Sequence, residues 1–198
     1  AKTKSNSGTY NLNYKLDFDE KNEHNLEFEA TYSNADSPEN ARYDELINPL
    51  DLITNYNNSV ENKTDNFLFN LDYTVPLFEK GKLEVGGEIR TNKTTNFNAS
   101  NQHENTYNTS GVVIGTQPIG NSSFGYDREM FSGYTNYGHK FGKLTMQLGV
   151  RLEQYNVDGD FQKGTAKAKY TDKIFSAYPS AFFTYNPSEK NQYQVSYS

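Results

Sequence analysis

A chain of 198 residues with 34% hydrophobic content and a formal charge of −6 holds one domain or two small ones. Its acidic balance excludes a phosphate- or nucleic-acid-binding surface, which needs clustered Lys and Arg. Tyr (16) and Phe (13) raise the aromatic share to 15%, which excludes disorder. Zero Cys excludes disulfides, thiolate zinc sites and Cys nucleophiles, and no run of ~20 apolar residues offers a transmembrane helix.

In chain order, the first clear signal is alternation. Tyr10, Leu12, Tyr14, Leu16 and Phe18 share one face, with Asn11, Asn13, Lys15 and Asp17 on the other. A period of 2 predicts a strand with one apolar face. The pattern returns at Leu26, Phe28, Ala30 and Tyr32, with Glu27, Glu29 and Thr31 opposite. Between 37 and 53 the pattern changes. Ser37-Pro38 reads as an N-cap with Pro at the first helical position, and Tyr43, Leu46, Ile47, Leu50 and Ile53 fall at helical spacing. This predicts either a short loop helix, kinked or ended by Pro49, or an irregular loop.

Alternation resumes at Phe67, Phe69, Leu71 and Tyr73, then at Leu83, Val85, Gly87 and Ile89. It is cleanest at Leu144, Met146, Leu148, Val150 and Leu152, against Thr145, Gln147, Arg151 and Glu153. Fainter strands are predicted over 130–140, 175–185 and 192–197, for eight in all, antiparallel.

The connections alternate in length. Short turns fall near Glu20 to His24, at Phe78-Glu79-Lys80-Gly81-Lys82, at Phe141-Gly142-Lys143 and at Pro187-Ser188-Glu189-Lys190-Asn191. Long polar loops are predicted over 34–65, 91–126 and 157–171. One-sided asymmetry has no reason in a soluble sandwich, but an outer-membrane barrel has short periplasmic turns and long extracellular loops. The expected fold is therefore all-β: an antiparallel up-and-down transmembrane β-barrel segment. Lipid contacts one face of each strand and a wet lumen the other. Glu88, Arg90, Arg151 and Glu153 alternate with apolar neighbours and are the lumen-facing candidates. Tyr43, Tyr56, Tyr107 and Tyr126 are the loop candidates for ligand contact, able to stack on sugar rings or to anchor at the interface.

Reactive chemistry finds little footing. His24, His103 and His139 are scattered without zinc-site spacing, and Asp158-Gly159-Asp160 lacks the remaining ligands and closing Glu of a calcium loop. Glu27 and Glu29 share a strand face, but no partner acid for glycosidase chemistry can be placed. Gly-x-Ser-x-Gly does not occur, and Gly115 to Gly120 follows no nucleotide-binding strand pattern. Six Asn-x-Ser/Thr sequons, at Asn57, Asn62, Asn92, Asn98, Asn108 and Asn121, all fall in the long loops. No catalytic residue, metal or cofactor is assigned.

Several stretches carry a resemblance: Leu71-Asp72-Tyr73-Thr74-Val75-Pro76-Leu77, Lys82-Leu83-Glu84-Val85-Gly86-Gly87, Phe141-Gly142-Lys143-Leu144, Leu148-Gly149-Val150-Arg151-Leu152-Glu153, Tyr178-Pro179-Ser180, and the segment from Lys190 to Ser198. Their order resembles the C-terminal barrel of the outer membrane protein beta-barrel family, which is related to TonB-dependent receptors. The resemblance implies that 1–198 is one segment of a larger barrel in the Gram-negative outer membrane, without the plug domain that usually accompanies it. It also implies a transport or receptor role, with outer-membrane lipid as a partner, an energy-coupling periplasmic protein and a surface lipoprotein as further partners, and a small ligand or glycan as cargo. A chain starting Ala1-Lys2-Thr3-Lys4 without an apolar leader fits an excerpt or a chain whose signal has been removed. The competing expectation is a soluble, surface-attached antiparallel sheet binding glycans or proteins. It requires a second layer over the apolar face.

Overall fold

The computed structural model describes residues 2–20, 23–47 and 52–198. Its strands are β1 (Lys2–Thr3), β2 (Asn6–Asp17), β3 (Asn25–Asp36), β4 (Glu39–Ile47), β5 (Leu52–Leu77) and β6 (Gly81–Ser100), followed by β7 (His103–Tyr107), β8 (Val113–Pro118), β9 (Ser122–Phe141), β10 (Leu144–Lys163), β11 (Ala166–Ser188) and β12 (Asn191–Tyr197). All but β7 and β8 form a single ten-stranded sheet. The eight strands β2, β3, β5, β6, β9, β10, β11 and β12 run side by side, and every pairing is antiparallel. The sheet is open: β2 pairs only with β3, and β12 only with β11.

At one end the strands are joined tightly. Phe141 pairs with Leu144 across Gly142 and Lys143, and Gly142 supplies the positive φ (59°) that such a two-residue hairpin demands. Phe78 takes a left-handed φ of 59° in the turn between β5 and β6 without that freedom, a costly conformation for a bulky residue. Two expected surface histidines sit in aromatic clusters at this turn end. His24 lies 4.5 Å from the Phe18 ring and meets the Tyr73 hydroxyl at 2.8 Å. His139 lies 4.2 Å from Phe141.

The opposite end corrects the expected loops. Among the described residues no helix forms around 37–53: Glu39–Ile47 is strand β4, paired along Leu52–Val60 of β5, while Pro49 and Leu50 lie outside the described residues. The 157–171 stretch is strand up to a two-residue turn at Gly164-Thr165. Within 91–126, β6 continues to Ser100 and β7 and β8 make a separate hairpin. β5 has 26 residues and β6, β9 and β10 have 20 each, whereas a tilted membrane crossing needs only ~9–11. The surplus extends past the apolar band. Both faces meet water there, so backbone pairing continues while the apolar alternation disappears.

Register aligns one apolar face across the sheet. One row reads Leu12, Ala30, Phe69, Ile89 and Phe131; another reads Tyr14, Phe28, Leu71, Gly87 and, beyond Gly133, Leu152. The band ends towards the long extensions at Tyr10, Tyr32 and Phe67, where Glu129 and Lys173 take over on β9 and β11. This face is uncovered. Only Ala41 and Val157 are buried hydrophobics among the described residues. The total exposed area is 14266 Å², against about 9,500 Å² for a compact globular monomer of 22.6 kDa. Among the described residues nothing supplies the second layer that a soluble module requires.

Candidate functional site

The polar face carries two different surfaces. On the membrane-spanning half, register sets Glu88 beside Ser132 and Asn70, with Glu153 one strand further. Arg90 lies one step above on β6, and Arg151 one step below on β10. The four expected lumen-facing residues therefore converge. Arg151 Nε donates to Glu153 Oε1 at 2.6 Å and its Nη2 lies 3.8 Å from Glu88 Oε2. Arg90 Nη2 approaches Glu88 Oε1 to 3.0 Å, without the alignment of a hydrogen bond. The Glu88 side chain, 16% exposed, thus sits between two guanidiniums, and two Arg against two Glu leave the cluster neutral. Lys15 pairs with Glu27 at 2.8 Å on the same face. Glu29 accepts from Asn70 at 3.4 Å. Glu27 and Glu29 are thus engaged with different neighbours, not with each other.

Sequence reading missed a device at the centre of this wall. Asp72, Gly86 and Tyr134 are register partners on three adjacent strands. The Tyr134 ring lies flat across Gly86, and its hydroxyl donates to Asp72 Oδ1 at 2.5 Å. A Cβ on Gly86 would overlap both the ring and the carboxylate. The available signal was a Gly at a polar-face position of an otherwise alternating strand, a mark of close approach.

On the projecting half, the polar face turns to amides and aromatics. Asn92 donates to Asn66, and Asn96 to Asn62, across β5 and β6. Phe124 and Phe161 are register partners, and Tyr126 and Tyr170 flank Gly159. Hydrogen bonding to the Tyr155 phenol pushes the Tyr126 hydroxyl above its usual range. Donation to Asp172 at 3.1 Å does the same for Tyr170. Tyr43 and Tyr56 pair across β4 and β5 and stack with ring centroids 4.9 Å apart. They wall a cleft of about 510 Å³ that also touches Asn58, Asn98, Phe161 and Lys163. All four expected loop tyrosines therefore lie on strands, three of them in the main sheet. Tyr107 ends β7 opposite Val113, outside this cleft, and its side chain is not among those described.

His24, His103 and His139 are far apart in the strand order, and among the described residues no group of three His, Asp or Glu converges on a metal-sized site. Asp158 accepts from Thr171 at 2.8 Å, while Asp160 lies against Gly125 across the β9–β10 pair.

Beside this geometry, a family model for the outer membrane protein beta-barrel family matches residues 16–198. The chain belongs to the outer membrane protein beta-barrel family. It is an outer-membrane β-barrel protein of the Gram-negative type, associated with outer-membrane lipid. Solved structures share the fold. The ferric citrate transporter FecA in its unliganded form superposes with a TM-score of 0.54 at 10% identity, covering 94% of this chain and 26% of its own. The siderophore receptor PiuA from Acinetobacter baumannii gives 0.55 at 17% identity, covering 94% and 31%. The ferric-catecholate import receptor Fiu from E. coli K12 gives 0.51 at 13%, with the same coverage. The chain thus spans between a quarter and a third of these barrel receptors. No curated protein matches the sequence.

Proposed function

We propose that this segment forms part of the wall of a non-enzymatic outer-membrane receptor of the TonB-dependent type, which captures a ligand on its outward extensions and passes it through a polar lumen. The observation that carries this reading is the neutral Glu88–Arg90–Arg151–Glu153 lattice on a wall whose opposite face is uncovered and apolar. Paired charges keep a passage wet without holding cargo of either sign strongly. The long ends of β5, β6, β9 and β10 then stand on the cell exterior, and the short turns face the periplasm. An energy-coupling periplasmic protein and a surface lipoprotein fit this reading as partners. The structural neighbours are named for iron chelates; that cargo does not transfer at 10–17% identity.

The test is a deletion strain grown on a complex medium, with the spent medium compared by mass spectrometry. The complemented strain should deplete at least one solute that the deletion strain leaves, and a protonophore should stop the depletion. Identical spent media would overturn the receptor reading.

A further inference from the structure

Resting on that receptor reading, we propose that the outward half of the polar wall is a binding surface for a neutral oligosaccharide. The argument starts with charge. On this stretch Arg128 and Lys163 are outnumbered by Glu39, Glu45 and Asp172, by register position on the polar face. An anionic chelate needs a surplus of cations, and this wall has none.

What the wall does present comes in two stripes. Along β5 and β6 runs the amide ladder, in which Asn92–Asn66 and Asn96–Asn62 each spend one donor and one acceptor. An amide has two N–H donors and a carbonyl with two lone pairs, so each keeps capacity for vicinal hydroxyls. Asn58 Oδ1 and Asn98 Oδ1, both on the cleft, are shielded and accept no hydrogen bond among the described residues. An unmet buried acceptor is costly, and turning either amide towards the cleft would offer that oxygen to a ligand hydroxyl. Along β9 and β10 runs the aromatic stripe. Phe124 and Tyr126 hold their rings 14° from parallel with centroids 6.4 Å apart. Phe161 carries this stripe to the cleft. Apolar ring faces pack the C–H faces of sugars, while the amides take the hydroxyls at their edges. An extended peptide fits less well, because it is recognised chiefly through main-chain pairing at a free strand edge. β5, β6, β9 and β10 are paired on both sides here.

The test uses the full-length receptor, purified in detergent, on an array of neutral oligosaccharides, uronic-acid oligomers and unstructured peptides, with ferric citrate binding measured in parallel. Retention on at least one neutral oligosaccharide is expected. Phe161→Ala and Asn98→Ala should each weaken it about tenfold, while Lys167→Ala, on the opposite face, should leave it unchanged. Retention only of acidic oligomers, peptide or ferric citrate overturns the oligosaccharide proposal and leaves the receptor reading standing. Retention of nothing overturns the proposal too, and the spent-medium comparison decides the receptor reading separately. Binding that survives both substitutions moves the site off this wall and also overturns it.

Discussion

Two halves of the same strands solve the same backbone problem with different side chains. In the lower half of β5, Phe67, Phe69, Leu71 and Tyr73 face one way and Asn70, Asp72 and Thr74 the other. In its upper half Val60 stands between Asn58 and Asn62 on the polar face, and the other face carries Ser59, Glu61 and Lys63, so neither keeps a continuous apolar stripe. Hydrogen-bonded pairing with β6 continues without a break from Leu77 to Asn58. Backbone pairing therefore makes the strand, and the solvent on each face decides the pattern of side chains. Where one face meets hydrocarbon, period 2 is enforced; where both meet water, it is not.

The strongest way to break the comparison is to put a charge on the lipid face of the lower half. Leu148→Arg should cost ~2–4 kcal/mol near the midplane, seen as loss of the heat-modifiable band in outer-membrane fractions. Gln147→Arg, one residue away on the polar face, should assemble normally. Equal behaviour of the two would sink the lipid-and-lumen assignment.

Next in size is the Gly86 notch. Gly86→Val should expel the Tyr134 ring from its place over β6 and release Asp72, costing about 1–3 kcal/mol. Tyr134→Phe, which keeps the ring and loses only the hydroxyl, should cost clearly less. Chemical denaturation of the refolded barrel in lipid vesicles reads both, and an equal loss would mean that the hydrogen bond, not the packing, holds the site.

The ion lattice comes third. Arg151→Met leaves Glu88 with Arg90 alone and Glu153 without its 2.6 Å partner, at a cost of about 1–2 kcal/mol. The matched double change Arg151→Met with Glu153→Gln should recover part of it. Absence of coupling in that cycle would show that the pair is fully screened.

The smallest effect should lie in the upper half. Asn62→Ala with Asn96→Ala should show a coupling of only about 0.2–1 kcal/mol, because water replaces each amide on an exposed wall. A coupling as large as that at Gly86 would erase the distinction between the halves.

The same contrast explains what was legible beforehand. Eight long-sheet strands, their antiparallel order, the four short turns and the common face of Glu88, Arg90, Arg151 and Glu153 followed from alternation, since hydrocarbon writes that pattern into Leu144 to Leu152 and its counterparts. The extensions were not legible. Two wet faces leave no period to detect, so β4 imitated a helix through Tyr43, Leu46 and Ile47, and 157–171 passed for a loop. Tyr134 over Gly86 was hidden for another reason: it is a register relation across three strands, and register lies in no single stretch of chain.

The open edges bear on how such a wall is made. β2 and β12 each offer a row of backbone N–H and C=O groups that no strand of this sheet meets. In hydrocarbon every unmet group costs several kcal/mol, so a sheet built in the bilayer one strand at a time carries the cost of two open edges at every stage until it closes. Insertion must then be concerted, or take place at a catalyst that lends its own strand edge to the growing sheet until the circle is complete.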